Sequence, residues 1–470
     1  VLKLSDFEFA LQTSPVEKKA ETLLTGVSID SRTLKRGNAF FAIRGKKFDG
    51  HNFLKEAKQK GASAFVVDKK SWRKITSLVD QNVFVVEDTT IALGKLAACF
   101  RRKHNVRAIG IAGSCGKTTT KQISNLLLSR KYRVLATAGN LNNQFGLPLT
   151  IFRLHPEDEI LLAEIGASQT GDIGYLCGIL GPEIGLITNI YPAHLEGFGS
   201  LEKIYEAKLE LASSLEKVNG TLIVNGDNHE LVNRAKTFRV RTVTFGREKS
   251  NDFFISRFAS VNGAIEFELN GRYGFSFKTH ALFNLDNFLA AIALAHEMKV
   301  PFERLEGCLE DLQSLSGRFE LHILPREITA IHDAYNANPG SVMQSLVSFS
   351  GWSDLGRRKI VVLSDMKELG AESSEWHRRL GREFKQFNLP ILITVGEQAR
   401  EIAEGAIECH GCEEVYSFSS SEKTLPFLFS FLRSGDAILL KGSRATKLED
   451  ILFGLKSELT RESTEAFSKR

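Results

Sequence analysis

Eight consecutive residues, Gly113-Ser114-Cys115-Gly116-Lys117-Thr118-Thr119-Thr120, have the types and spacing of a phosphate cradle. Glycines let backbone N–H groups wrap a polyphosphate that side chains would obstruct. A helix starting at the end of the loop adds aligned dipoles that favour the anion. In such a loop Lys117 reaches the β- and γ-phosphates of a nucleotide, and the Thr118 hydroxyl holds Mg²⁺. The pattern here is the short G-x-x-G-K-T-T, with Ile111 where the standard P-loop has its first glycine. That points away from G proteins and AAA-type ATPases. Cys115 lies beside Lys117 and a helix start, which favour a thiolate; a bland filler position is the leading reading, and a reactive thiol that ATP shields is the sharper one.

Three further residues could complete a metal and phosphate site. Glu164 ends an apolar run just before Ile165-Gly166-Ala167-Ser168, where a P-loop enzyme places its second Mg²⁺-associated acid. His194, in Tyr191-Pro192-Ala193-His194-Leu195-Glu196-Gly197, is a candidate metal ligand or a partner of one. Lys208 falls in a helical stripe with Leu201, Ile204, Leu211 and Leu215. A buried ammonium is costly unless paired or chemically altered. A stem that carries its charge to the rim is the bland alternative.

These residues need a scaffold of buried parallel strands whose C-terminal ends share one edge. Ala108–Ala112 supplies a strand before the loop, and Ile123, Leu126 and Leu127 mark a helix after it. Strands are expected at 159–163 and 185–189, and a helix over 201–217. Residues 1–88 read as a small α/β unit with strands at 39–43, 64–67 and 83–86 and a helix near 51–60. Residues 89–317 read as a central P-loop domain with a parallel sheet. Residues 318–470 read as a Rossmann-like α/β domain with strands at 329–332, 359–363, 391–395 and 437–440. The fold class is therefore α/β in three domains.

The chain has 470 residues, 43% hydrophobic and 25% charged, with a net charge of +5 and no long basic run. Nucleic-acid binding is not indicated, and no apolar stretch has the length of a membrane span. The opening residues Val1–Asp6 lack a signal-peptide layout. Six scattered cysteines, Cys99, Cys115, Cys177, Cys308, Cys409 and Cys412, suit a reducing cytoplasm. A single C-x-x-C at Cys409–Cys412 is weak evidence for zinc.

As a set these residues resemble the Mur ligases, the ATP-dependent amide-bond enzymes of bacterial cell-wall precursor synthesis. Within that family the resemblance is to the last-acting branch. It implies ATP and Mg²⁺, with UDP-N-acetylmuramoyl-tripeptide and D-alanyl-D-alanine as substrates, in a cytoplasmic monomer. It also implies roles. The loop Gly113, Ser114, Cys115, Gly116, Lys117, Thr118 and Thr119 binds ATP together with Asn284, Asn287, Arg318, Asp333 and Asn336. Phe283 stands where the family has histidine. Thr118, Glu164, His194 and a carbamylated Lys208 serve the metal, and Lys117, Glu164, His194 and Lys208 serve catalysis. Ser31, Arg32, Asp49, Gly50 and His51 hold the nucleotide sugar, Asn140, Asn142 and Asn143 meet the substrate, and Ser443 and Arg444 lie near the incoming dipeptide. The competing readings are a folylpolyglutamate synthetase-like ligase on another acid, and a nucleotide-binding regulatory protein without chemistry. The front unit with Asp30-Ser31-Arg32 argues against the first, and joint retention of the catalytic set against the second.

Overall fold

The computed structural model describes residues 2–16, 23–45, 47–73, 75, 81–261, 263–305, 317–352 and 358–468, and no side chain beyond 464. Val1 and Cys308 lie outside them. Three principal sheets organise the chain. The first is a parallel sheet of Gly26–Ser28, Asn38–Phe41, Ala64–Asp68 and Asn82–Val86, in chain order. Its period of two sends Phe40 and Phe65 to one core and Phe41, Val66 and Phe84 to the other. The helix expected near 51–60 is a 3₁₀ turn, Gly50–Phe53, running into Leu54–Gln59.

Among the described residues, the central sheet has nine strands. Val134–Ala136, Ile160–Glu164, Arg107–Ala112, Ile184–Ile187, Thr221–Asn225, Arg241–Gly246 and Phe253–Val261 lie side by side and parallel. Ala264–Leu269 and Tyr273–Lys278 extend it antiparallel. The expectation of a parallel central sheet is corrected to that extent. Ile265, Phe267 and Leu269 point inward while Glu266 and Glu268 do not, the alternation of a strand with one buried face. Register aligns the ends that matter: Ile111 pairs with Glu164, and Ala112 with Ile187. The phosphate loop, Glu164 and Thr188 thus emerge at one edge.

The third sheet runs Glu320–Leu324, Ile328–Asp333, Ala437–Lys441, Lys359–Ser364, Ile391–Val395 and Glu414–Phe418. Only its first pair is antiparallel. Among the described residues, no helix is long and apolar enough to cross a membrane.

The helix Leu201–Glu216 begins at Ser200, whose hydroxyl accepts the Lys203 N–H. Ile204, Lys208, Leu211 and Leu215 are buried. Leu201 is exposed, which corrects its place in the stripe. It is the first residue of the helix.

Candidate functional site

A cavity of about 890 Å³ opens at the strand ends and is walled by all three sheets. Its charged lining is Arg44, Lys117, Arg318 and Lys441 against Asp88, Glu164, Asp172, Asp286 and Asp333, with His194 in the same wall. The phosphate loop forms its floor. Gly113 and Gly116 have φ of 140° and 79°, in the region that favours glycine. A Cβ on Gly113 would lie 2.0 Å from Thr188 Oγ1, and one on Gly116 2.4 Å from Asn287 Oδ1. The loop therefore has room for backbone only, as a phosphate cradle requires.

Glu164 is the hub. Thr118 Oγ1 donates to its Oε2 at 3.0 Å, and Asn142 Nδ2 to its Oε1 at 2.8 Å. Lys121 Nζ lies 3.4 Å from Oε2. Arg318, from the entry of the third sheet, donates to Thr118 Oγ1 at 3.0 Å. A carboxylate beside a hydroxyl at the phosphate loop is the donor chemistry a hard divalent cation takes. Lys117 donates to the Gly113 and Ser114 carbonyls at 2.7 and 3.3 Å. Burial pushes the Lys117 ammonium pKa down, and Glu164 opposes that shift.

His194 also lines the cavity. It sits in the left-handed region at φ 54°, and its Nδ1 pairs with Glu368 of the third sheet's connecting loop. Burial lowers its pKa and Glu368 acts the other way.

Lys208 is buried but does not line the cavity. Its ammonium lies 5.3 Å from the centre of the Phe198 ring. Burial first, then the charge of Lys117, pull its pKa down to about 7.

The nucleotide candidates divide. Asn287 accepts from Thr120 Oγ1 at 3.1 Å and donates to Asn284 Oδ1 at 3.0 Å. Asn287 lines the cavity and Asn284 stands behind it. Phe283, in the histidine's place, meets Phe319 edge to face at 5.6 Å. Asp333 accepts from the Phe319 N–H and pairs with Lys441 at 3.0 Å, and Lys441 donates to the Asn336 carbonyl at 2.9 Å. Asn140, Asn142 and Asn143 all face the cavity, and Asn143 Oδ1 caps the Gly146 N–H at 2.9 Å.

The front-unit residues expected to hold the nucleotide sugar are not brought to the cavity. Ser31 donates to Glu56 at 3.1 Å, and exposed Arg32 grips Asp30 at 2.7 Å. The His51 ring is buried between Asp49, 2.6 Å from Nδ1, and the Asp68 N–H, which donates to Nε2 at 3.1 Å. Gly50 packs on the Ile43 backbone. Ser443 accepts from the Lys367 N–H at 3.0 Å, and Arg444 lies 5.7 Å from the Tyr335 ring centre.

The reactive thiolate expected at Cys115 is corrected. Burial outweighs Lys117 and pushes its thiol up to about 11, with Asn189 Oδ1 accepting from Sγ at 3.3 Å. Alkylation of Cys115, followed by peptide mass spectrometry, should keep accelerating as pH rises beyond 9. A plateau near pH 7 would restore the thiolate.

Lys121 and Arg44 were missed. Lys121 sits one turn after Lys117, on the buried face with Thr120, Ile123, Ser124 and Leu127. The stripe argument that singled out Lys208 would have found it. No local signal marks Arg44, which reaches the cavity only through the folded front unit.

Family models match along most of the chain. The Mur ligase middle domain matches residues 111–295, the Mur ligase glutamate ligase domain 317–444, and the Mur ligase family catalytic domain 23–101. The UDP-N-acetylmuramoyl-tripeptide–D-alanyl-D-alanine ligase of Escherichia coli K12 is 32% identical, covering 94% of this chain and 96% of its own. The enzyme of that name from Bacillus subtilis is 33% identical, covering 92% and 93%. A crystal structure of MurF from Acinetobacter baumannii superposes with a TM-score of 0.86 at 29% identity, covering 97% and 98%. MurF from Thermotoga maritima, in complex with ADP, gives 0.81 at 28% identity, covering 93% and 98%. The chain belongs to the Mur ligase family.

Proposed function

We propose that this chain is an ATP-dependent, ADP-forming ligase that joins D-alanyl-D-alanine to UDP-N-acetylmuramoyl-tripeptide, giving the pentapeptide precursor of peptidoglycan. The observation that carries the chemistry is the cluster at the strand ends: Lys117 in the loop, Thr118 on Glu164, and Arg318 on Thr118. The substrate pair is supported by relatives that match more than nine-tenths of the chain and bear that name.

In this reading the γ-phosphoryl group passes to the terminal carboxylate of the tripeptide. The dipeptide amine attacks the resulting acyl phosphate, and the tetrahedral adduct collapses to amide and phosphate. Lys117 neutralises charge on the transferring group, and the loop amides fix its direction. Arg318 adds a second cation from the third sheet, so it acts only when that sheet is seated. Mg²⁺, held by Thr118 and Glu164 with His194 and carbamylated Lys208 in support, would supply further charge neutralisation. Lys121 pairs with Glu164 and holds it aimed. Asn142 fixes the other carboxylate oxygen. The walls from three sheets exclude the water that would hydrolyse an acyl phosphate.

We assign residues 1–88 to the nucleotide sugar, 89–317 to ATP and 318–470 to nucleotide and dipeptide. Ser31, Arg32, Asp49, Gly50 and His51 shape the first unit, and Ser443 and Arg444 the third. A cytoplasmic monomer accords with a cavity completed by one chain. The test is phosphate release from Mg-ATP and UDP-N-acetylmuramoyl-tripeptide, with and without D-alanyl-D-alanine, alongside mass detection of the amide. Dipeptide-dependent release with the pentapeptide product is expected. ATP binding without dipeptide-dependent release would overturn the reading.

A further inference from the structure

We propose that Glu320, His322 and His332 form a binding site for a zinc-class divalent cation, separate from the phosphate cavity. The first strand of the third sheet carries Glu320 and His322 two residues apart, so both lie on one face. Antiparallel register sets His332 directly opposite Glu320. One potential ligand atom from each residue lies within 4.8 Å of the other two. Glu320 Oε1 is 3.5 Å from His322 Nε2, and its Oε2 is 3.8 Å from His332 Nδ1. The His322 and His332 Nε2 atoms are both buried and have no hydrogen-bond partner among the described residues. His332 as a residue is only 8% exposed. His322 turns its unpartnered Nε2 to the carboxylate and His332 its Nδ1, so the three side chains offer lone pairs to a common acceptor.

The donor types select the ion. Two imidazoles and one carboxylate suit Zn²⁺, Co²⁺ or Ni²⁺, whereas Mg²⁺ and Ca²⁺ take oxygen. Ligands around tetrahedral zinc stand roughly 3.3 Å apart, so these side chains must close by about an ångström. Rotation at half-buried His322 allows that. Glu320 is already oriented, since its Oε2 accepts the Gly317 N–H at 2.9 Å. None of the three residues lines the phosphate cavity. Two chain neighbours do: Arg318 lies two residues before Glu320, and Asp333 follows His332. A bound ion would tie together the hairpin from which both arise.

The test is a Co²⁺ titration of the full chain read by ligand-field absorption, then displacement by Zn²⁺. Mg-ADP occupies the phosphate loop, and a Cys409→Ser/Cys412→Ser background removes the competing thiols. One Co²⁺ per chain is expected. Glu320→Gln keeps an acceptor for Gly317, and His322→Gln changes a half-buried side chain, so both should fold. Each should weaken Co²⁺ more than the roughly tenfold that loss of even an outer-shell partner costs. Zn²⁺ should raise the melting temperature of the parent but not of the two variants. Equal Co²⁺ affinity in parent and variants, or no Co²⁺ absorption in the parent, would overturn the site.

Discussion

Lys117→Ala should lower dipeptide-dependent phosphate release by about a thousandfold or more while leaving the chain folded. The size follows from the task. A single preorganised donor at developing charge is worth about 10²–10³ in rate, and a cation on a transferring phosphoryl group about 10³–10⁵. The fold should survive because Lys117 Nζ bonds only to carbonyls of its own loop, Gly113 and Ser114. Lys117→Arg should not restore the rate, since a planar fork cannot take the place of a compact ammonium between those carbonyls. Turnover should therefore separate from stability: kcat collapses while the melting temperature moves by a few degrees. A loss of less than tenfold would remove Lys117 from the reaction.

Lys208 gives the second large effect, and its sign depends on pH. The amine is nucleophilic towards CO₂ only when neutral. An ordinary lysine, at about 10.4, is almost wholly protonated at pH 7.5. Here burial and Lys117 bring the value to about 7, so most of the amine is neutral at pH 7.5. The nitrogen lone pair forms the N–C bond with CO₂, one proton leaves to solvent, and a carbamate remains. Below pH 7 protonation withdraws the nucleophile. Enzyme stripped of CO₂ at pH 6 should thus lose most of its turnover, and bicarbonate at pH 8 should return it. A ¹³C-bicarbonate carbamate resonance should appear in the parent and be missing from Lys208→Met, which should lose turnover irreversibly. Turnover indifferent to CO₂, with no such resonance, would leave Lys208 as a neutral buried amine.

The same lowered pKa carries a stability sign. The unfolded chain holds a proton on Lys208 between about pH 7 and 10 that the uncarbamylated folded chain does not. Stability therefore rises with pH across that window, and the full cost of burial is felt below it.

Much of this site could be read from the chain because its chemistry is local. The phosphate loop is one uninterrupted segment, and Glu164 and Lys208 were each betrayed by charge at the end or within the stripe of an apolar pattern. The central strands of each sheet were legible as apolar runs, since parallel strands buried on both faces carry the signal in every residue, whereas Gly26–Ser28, Val134–Ala136, Thr221–Asn225, Arg241–Gly246, Phe253–Val261, Glu320–Leu324 and Glu414–Phe418 were not identified. The antiparallel extension was missed, although Ile265, Phe267 and Leu269 alternate with Glu266 and Glu268. Partnership across long separations was not legible. Glu368 on His194, Arg318 on Thr118 and Arg44 at the cavity wall are set by how sheets meet, and no spacing encodes that. Cys115 failed for a different reason: proximity to Lys117 was visible, but the desolvation that outweighs it was not.

The balance of charge around the cavity has a consequence for how ligands arrive. Arg44, Lys117, Arg318 and Lys441 face five carboxylates, Asp88, Glu164, Asp172, Asp286 and Asp333. The lining side chains add no net positive charge of their own, so they contribute little long-range attraction for a polyanion. Recognition happens at contact range, inside the screening length of physiological salt. Nucleotide association should accordingly be nearly indifferent to ionic strength. A divalent ion carried on the phosphates would supply the positive charge that the lining lacks.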